Sequence, residues 1–125
     1  MTVPGWLAVA AGGVFGALAR HGLGTWVQTA SGARFPLGTL LINLSGSAAL
    51  GLLFGLGERV STPVRLGLGV GFLGAFTTFS TFSVDNIRMM QAGEGRLVLL
   101  NLAASVGGGL LAAWAGVWVA GAWRG

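Results

Sequence analysis

Long apolar stretches alternate with short polar segments along this chain. Each stretch is close to or longer than the roughly 20 residues with which an α-helix crosses the hydrocarbon core of a bilayer. We therefore predict four membrane-spanning helices, at residues 4–29, 37–57, 64–90 and 97–123. They make up a single all-α transmembrane domain that covers residues 1–125.

The polar segments between the stretches carry residues that start and stop helices. Pro36 and Pro63 stand where the second and third predicted helices begin, and proline is tolerated in a first turn because that turn needs no N–H donor. Most of the tryptophans fall near predicted helix ends, where an indole ring favours the headgroup region. They are Trp6, Trp26, Trp114, Trp118 and Trp123.

Small residues recur four positions apart within several predicted helices. The pairs are Gly12 and Gly16, Gly51 and Gly55, and Gly67 and Gly71. Residues at this spacing share one face of a helix, and a face without side chains lets two helix backbones approach closely in lipid. We interpret most of the 24 glycines as packing positions.

The composition agrees with a membrane protein, since 54% of the residues are hydrophobic and only 8% are charged, against about 25% charged in soluble domains. The net charge is +4, but the arginines are scattered between apolar stretches, which argues against a nucleic-acid partner. No cysteine is present, so disulfides, thiolate metal sites and cysteine nucleophiles are excluded. Membrane lipid is therefore the expected partner of the outer surface.

Basic residues indicate the orientation of a membrane protein, because arginine and lysine favour the cytoplasmic side. Four helices place three arginines on each side: Arg59, Arg65 and Arg124 on one, and Arg34, Arg88 and Arg96 on the other. We therefore predict dual topology, in which the chain inserts in both orientations and forms an antiparallel homodimer. Four short helices also leave little room for a pathway through a single chain.

The third predicted helix concentrates five hydroxyl groups within seven residues at the expected middle of the bilayer. They belong to Thr77, Thr78, Ser80, Thr81 and Ser83. Gly74 and the β-branched threonines weaken the helix, so we predict a break near residues 74–78, which is tolerated at membrane depth where it lines a cavity. The alternative is a continuous helix whose hydroxyls bond to its own backbone.

A break of this kind exposes two kinds of ion-binding groups. Freed carbonyl oxygens can bind a cation, whereas the N-terminal end of the resumed helix favours an anion. Phe76, Phe79 and Phe82 recur every three residues around it. This aromatic stripe is either packing surface or, with ring edges beside Ser80 and Thr81, part of an anion path.

Isolated polar residues mark the other predicted helices. Asn43 stands in an apolar run and is costly in lipid unless its amide finds a partner or faces a cavity. Asn101 and Ser105 are four apart and share a face of the fourth helix, with the same two interpretations. Arg20 either lines a vestibule that attracts anions or extends its guanidinium to the interface.

Three segments of the chain carry recognisable motifs: GGVFGALAR at residues 12–20, GTLLINLSG at 38–46 and GAFTTFSTFS at 74–83. With these segments the chain resembles the Fluc family of bacterial fluoride channels, which is also called CrcB. The last segment is highly specific, and the resemblance extends over essentially the whole chain. It implies a passive, fluoride-selective channel of the bacterial plasma (inner) membrane that exports fluoride and so lowers its toxicity.

The same resemblance implies roles for individual residues. An antiparallel homodimer would contain two fluoride pathways and a structural sodium ion (Na+) at the dimer interface, held by the backbone carbonyls of Gly74 and Thr77. The residues of the fluoride pathway would be Asn43, Phe79, Ser80, Thr81, Phe82 and Ser105. One position departs from the family, because Asn101 stands where similar proteins often carry tyrosine.

Two other classes of protein agree less well with the sequence. A small dual-topology multidrug or cation exporter would also be a four-helix antiparallel dimer. Proton-coupled export of cations needs a carboxylate within the membrane, however, and the acidic residues here lie near predicted helix ends. An enzyme is not expected, because His21 is the sole histidine and no carboxylate is close to it in the sequence.

Overall fold

The computed structural model describes residues 2–123. Arg124, which contributes to the balance of basic residues, lies outside this range. The described chain consists of helices that are joined by short connections. Its helices are α1 (Val3–Ser31), α2 (Leu37–Leu56), α3 (residues 62–76), α4 (Phe79–Gln91) and α5 (Gly95–Ala122).

The helices α3 and α4 follow each other along one path and together cross the bundle once. With this pair counted as one segment, the described residues contain four helical segments that are long and apolar enough to span a membrane. The predicted all-α architecture with four spans is confirmed. The residues Arg65–Leu73 of α3 and Ala103–Gly107 of α5 have wider, π-helical turns, which often occur near functional sites.

The ends of α1 follow from local sequence. The Thr2 hydroxyl accepts a hydrogen bond from the N–H of Gly5 at 3.2 Å, which caps the N-terminus of the helix. At the other end Gly32 adopts a positive φ of 60° and its N–H bonds to the Gln28 carbonyl, a glycine-dependent helix ending. The Gln28 side chain then holds the connection to α2, because its Oε1 accepts from the Gly38 N–H at 3.0 Å.

Two helix pairs, α1 with α3 and α2 with α5, pack through glycine faces. A Cβ atom at Gly12 would overlap the carbonyl oxygen of Gly67, and one at Gly16 would overlap that of Phe72. On the other pair, a Cβ atom at Gly51 would overlap the carbonyl oxygen of Ala113. The close packing predicted for glycines four apart is therefore present, and backbone meets backbone in both pairs.

The surface of the chain is largely apolar. At most 22% of any spanning window is buried within the chain, and the tryptophans Trp6 and Trp26 are 61% and 67% exposed. A small core forms where Ile42, Leu73 and Phe76 meet. Since an exposed apolar surface of this extent is unfavourable in water, the outer surface is suited to lipid.

The connections at one end of the bundle are tied together. Arg34, between α1 and α2, pairs with Glu94, between α4 and α5, at an Nη1–Oε1 distance of 2.7 Å. Both connections lie at the same end, as a chain that crosses four times requires.

Candidate functional site

The transmembrane segment formed by α3 and α4 is interrupted for two residues. Thr77 (φ −84°, ψ 155°) and Thr78 (φ −150°, ψ 120°) have extended backbones. The break lies within the predicted segment 74–78, and the alternative of a continuous helix is wrong. The break is shorter than predicted, however, because Gly74–Phe76 remains helical.

Asn43 on α2 holds the break in place. Its Oδ1 accepts a hydrogen bond from the N–H of Thr78 at 2.8 Å, and its Nδ2 donates to the carbonyl oxygen of Thr78 at 3.0 Å. The amide thus pairs with both backbone polar groups of an extended residue, which would otherwise be unsatisfied at membrane depth. The contact also leaves the second amide proton of Asn43 without a described partner, so that it can be donated to a ligand.

The hydroxyl groups of the segment divide into two kinds. Thr77 and Ser83 bond back to the carbonyls of Leu73 and Phe79, at 3.0 and 2.9 Å, as the continuous-helix alternative had suggested for all of them. The other three form a cluster at the start of α4. The Thr78 Oγ1 lies 3.3 Å from Ser80 Oγ and 3.2 Å from Thr81 Oγ1, and it also accepts from the Thr81 N–H.

Arg20 contacts the end of α3. Its Nε donates to the carbonyl oxygen of Ala75 at 3.0 Å, and the side chain is half-buried. A cation at this place complements the partial negative charge at the C-terminal end of a helix. The guanidinium is therefore held beside the break.

A first cavity of about 540 Å³ extends from Thr78 towards the connection between α1 and α2. Three arginines, one histidine and one carboxylate are among the residues that line it: Arg20, Arg34, Arg88, His21 and Asp85. The positive charges outnumber the negative one, so this cavity attracts anions. We call it the vestibule.

A second cavity of about 270 Å³ lies beyond the break. Phe79 and Phe82 line it together with Asn43 and Ser105. The ring centroids of the two phenylalanines are 5.7 Å apart, and the ring planes are tilted by 46°. Phe82 is 8% exposed, whereas Phe79 is 79% exposed. We call this space the phenylalanine cavity.

The two cavities follow each other along α2. Residues 38–42 of this helix contribute to the vestibule, and residues 43–50 contribute to the phenylalanine cavity. Thr78 lines both cavities. At 1.5 Å per residue, the stretch of α2 along them is about 18 Å long, out of a hydrocarbon core of about 30 Å.

The structure thus brings most of the predicted pathway residues to these cavities. Asn43, Phe79, Phe82 and Ser105 line the phenylalanine cavity, and Thr81 lines the vestibule with Arg20. Ser80 lines neither described cavity and contacts Thr78, which lines both.

Thr78 and Asp85 contribute to the site although they were not among the predicted pathway residues. Thr78 belonged to the recognised hydroxyl cluster, but only the position of Asn43 shows that it lies between the cavities. Asp85 lines the vestibule, and its Oδ2 is buried without a hydrogen-bond partner among residues 2–123. The sequence position of Asp85 near a predicted helix end gave no sign of this burial.

The carbonyl groups predicted to bind sodium lie on either side of the end of α3. Gly74 is exposed on the surface of the single chain, and Thr77 is half-buried. Among the described residues no side chain donates to either carbonyl, whereas that of Ala75 is occupied by Arg20. No cluster of three His, Cys, Asp or Glu side chains suited to a metal occurs within residues 2–123.

These features define a class of protein: an integral membrane protein of four spans whose third span is broken beside polar cavities. Residues 7–117 match the family model described as CrcB-like protein, Camphor Resistance (CrcB). The chain belongs to this family.

Relatives of the chain carry names that state an activity. It is 49% identical to Fluoride-specific ion channel FluC 2 of Symbiobacterium thermophilum, over 93% of this chain and 97% of the relative. It is 47% identical to Fluoride-specific ion channel FluC 2 of Moorella thermoacetica, over 92% and 94%. A Fluoride-specific ion channel FluC of Pseudomonas fluorescens is 46% identical, over 92% and 95%.

Proposed function

We propose that this protein is a fluoride-selective passive ion channel of the bacterial plasma (inner) membrane, and not an enzyme. The names of the relatives support fluoride as the transported ion, and one structural observation supports the route. The vestibule and the phenylalanine cavity succeed each other along α2 and share Thr78 at the break. Fluoride leaving the cytoplasm through this route down its electrochemical gradient lowers its toxicity.

The lining groups agree with the chemistry of a small, strongly hydrated anion. The route offers the hydroxyl of Thr81, an amide proton at Asn43 and aromatic ring edges at Phe79 and Phe82, while the proton of the Thr78 hydroxyl is donated to Thr81. These groups replace water as partners of the anion, and ring edges carry partial positive charge. Beyond the vestibule the lining contains no cationic side chain among the described residues, so the ion is not trapped, and conduction requires such weak binding.

We propose that the conducting form is an antiparallel homodimer of a single transmembrane domain with dual topology. Phe79 supports this assembly, because in one chain it is 79% exposed although it lines the pathway. A second copy would cover that ring and close the wall of the phenylalanine cavity. Detergent-purified protein should elute as a dimer. A cysteine at one end of the helix bundle should cross-link to a cysteine at the opposite end of the second copy. Cross-links that join only the same end of both copies would contradict the arrangement.

We propose further that Na+ is held at the dimer interface by the carbonyl oxygens of Gly74 and Thr77. Hard oxygen ligands suit such a cation, the C-terminal end of α3 is the negative pole of a helix, and Gly74 is exposed for contact with a second copy. Two carbonyls from each of two chains would complete the ligand set. Replacing sodium by a large organic cation should lower the thermal stability of the dimer, and an unchanged stability would contradict the site.

A cation exporter is the alternative function. Asp85 is the acidic side chain that best fits a carboxylate within the membrane, but it shares the vestibule with Arg20, Arg34 and Arg88. These positive charges repel a cationic substrate. The geometry therefore favours an anion.

Liposome efflux tests the proposed function. Vesicles loaded with fluoride or with chloride receive purified protein, and a potassium ionophore then starts efflux that ion-selective electrodes record. We expect rapid loss of fluoride and retention of chloride. Loss of both anions, or of neither, would contradict a fluoride-selective channel.

A further inference from the structure

The hydroxyl of Ser105 belongs to a buried hydrogen-bond chain between α4 and α5. Ser105 Oγ donates to Asn101 Oδ1 at 3.0 Å, and Asn101 Nδ2 donates to Asn86 Oδ1 at 3.0 Å. Asn101 is 1% exposed and Asn86 is 7% exposed. Such buried amides are held by their partners, so the direction of one bond fixes the direction of the next.

This direction of bonding is unfavourable for an anion in the phenylalanine cavity, which Ser105 lines. The proton of the serine hydroxyl is committed to Asn101, so the hydroxyl presents its lone pairs to the cavity. A hydroxyl has one proton and two acceptor sites, and an anion needs the proton.

The reversed chain keeps the same number of bonds. If both amides turn over, Asn86 Nδ2 donates to Asn101 Oδ1, and Asn101 Nδ2 donates to Ser105 Oγ. In this rotation the oxygen and the nitrogen of each asparagine amide exchange places, and every other heavy atom keeps its position. Ser105 then accepts from Asn101, and its own proton becomes available to the cavity.

We propose that Asn86 and Asn101 are positioning residues that reorient the Ser105 hydroxyl when fluoride enters the phenylalanine cavity. The hydroxyl then presents its proton to the cavity in place of its lone pairs. The proposal rests on the proposed fluoride-channel function, and it assigns roles to Asn86 and Asn101. The two asparagines do not contact the ion. They act through the direction of the Ser105 hydroxyl.

Two substitutions at one position separate this role from a structural one. In Asn86→Asp an ionised carboxylate only accepts, so it holds Asn101 Nδ2 and keeps the Ser105 proton away from the cavity. A protonated carboxyl can donate and permits the reversed chain. The side chain of Asn86→Leu has the same branching but no hydrogen-bonding group, so it favours neither direction.

The measurement is fluoride efflux from liposomes at about pH 9 and about pH 5. An aspartate in water has a pKa of about 3.9, and burial at position 86 should raise the pKa of the introduced carboxyl into this interval. Protein-free liposomes at each pH correct for leakage of HF. We expect Asn86→Asp to be about tenfold slower than wild type at the higher pH, because a bond to the anion is lost, and to recover at the lower pH. Asn86→Leu should retain flux at both.

The effect of Asn86→Asp should vanish in a Ser105→Ala background, because the switch acts through that hydroxyl. Asp85, Arg88, Glu94 and Arg96 are the charged groups of α4, α5 and their connection nearest in sequence, and they occur in every variant. Wild type and Asn86→Leu also contain these groups and His21 of the vestibule, so their pH dependence corrects for every effect that the introduced carboxylate does not cause. Should Asn86→Asp not assemble, Asn101→Asp gives the same test, since its carboxylate accepts directly from Ser105.

Flux through Asn86→Asp that does not change with pH beyond the controls would overturn the switch. A pH effect that persists in the Ser105→Ala background would overturn it as well. Failure of wild-type protein to carry fluoride would instead reject the proposed channel function, so the two failures are distinguishable.

Discussion

The glycine-packed helix pairs and the broken third span meet the demands of the bilayer in opposite ways. Where α2 packs on α5, Gly51 brings the backbones so close that a Cβ atom would overlap the carbonyl oxygen of Ala113. At the break, Thr78 leaves helical geometry altogether and its backbone groups bond to the Asn43 side chain. The first region excludes everything from the interface, and the second keeps open space on both sides.

The difference teaches how a small chain supports a polar route through lipid. Dry backbone contacts fix the positions of the long helices and leave no room for an ion. The backbone N–H and carbonyl of Thr78, which lack helical partners at the break, are tolerated because α2 presents the Asn43 amide to both of them. The stability of the packed pairs should therefore be separable from conduction at the break.

The largest expected effect is on the packed pairs. Gly16→Ala places a Cβ atom against the carbonyl of Phe72, and because backbone cannot yield easily, the cost should lie at the upper end of the about 1–3 kcal/mol of overpacking. Gly22→Ala on the same helix meets no described atom within 4 Å. We expect a strongly lowered thermal unfolding temperature for the first variant only. Equal temperatures would show that the close approach is not essential.

The next effect concerns the two hydrogen bonds between Asn43 and Thr78 that hold the break in place. Asn43→Leu removes both hydrogen bonds to Thr78, each worth about 1 kcal/mol with a further cost for the unpaired N–H, so fluoride flux should fall by about tenfold or more. Asn43→Asp keeps the acceptor for the Thr78 N–H and should lie between this variant and wild type. Liposome efflux on protein that elutes from a sizing column as wild type does is the measurement, and full flux in Asn43→Leu would refute a role of these hydrogen bonds in conduction.

A smaller effect is expected for the aromatic wall. Phe82→Ile preserves apolar volume but removes the ring edge, which is worth about 1 kcal/mol and hence about fivefold in flux. Phe54→Ile is the control, since Phe54 is 78% exposed and lines neither cavity. Indistinguishable flux in the two variants would remove the ring from the pathway.

The smallest effect is expected at the tied connections. Arg34→Gln breaks an ion pair with Glu94 whose arginine side chain is 83% exposed, and exposed pairs contribute about 0–1 kcal/mol. Thermal unfolding should therefore hardly change, and Glu94→Gln should behave alike. A large loss of stability in either variant would show that this end of the bundle depends on the pair.

The arrangement of the spans could be predicted from sequence, whereas the partners of the polar groups could not. Apolar length and the weak helix at Gly74 and Thr77 are local properties, so they indicate four spans and a break. That Asn43 pairs with Thr78, 35 residues away, depends on how α2 packs against the break. The hydrogen bonds from Ser105 through Asn101 to Asn86 could not be predicted for the same reason, because they join two helices.

The central claim is that fluoride crosses the membrane past the break between α3 and α4. Because the chain has no cysteine, Thr81→Cys introduces a single thiol into the vestibule, and Thr29→Cys introduces one on α1 outside both cavities. Liposome efflux is recorded before and after a membrane-impermeant thiol reagent, with labelling measured by mass spectrometry. The account predicts that labelled Thr81→Cys loses most of its fluoride flux while labelled Thr29→Cys and wild type keep theirs. Undiminished flux through fully labelled Thr81→Cys would contradict it.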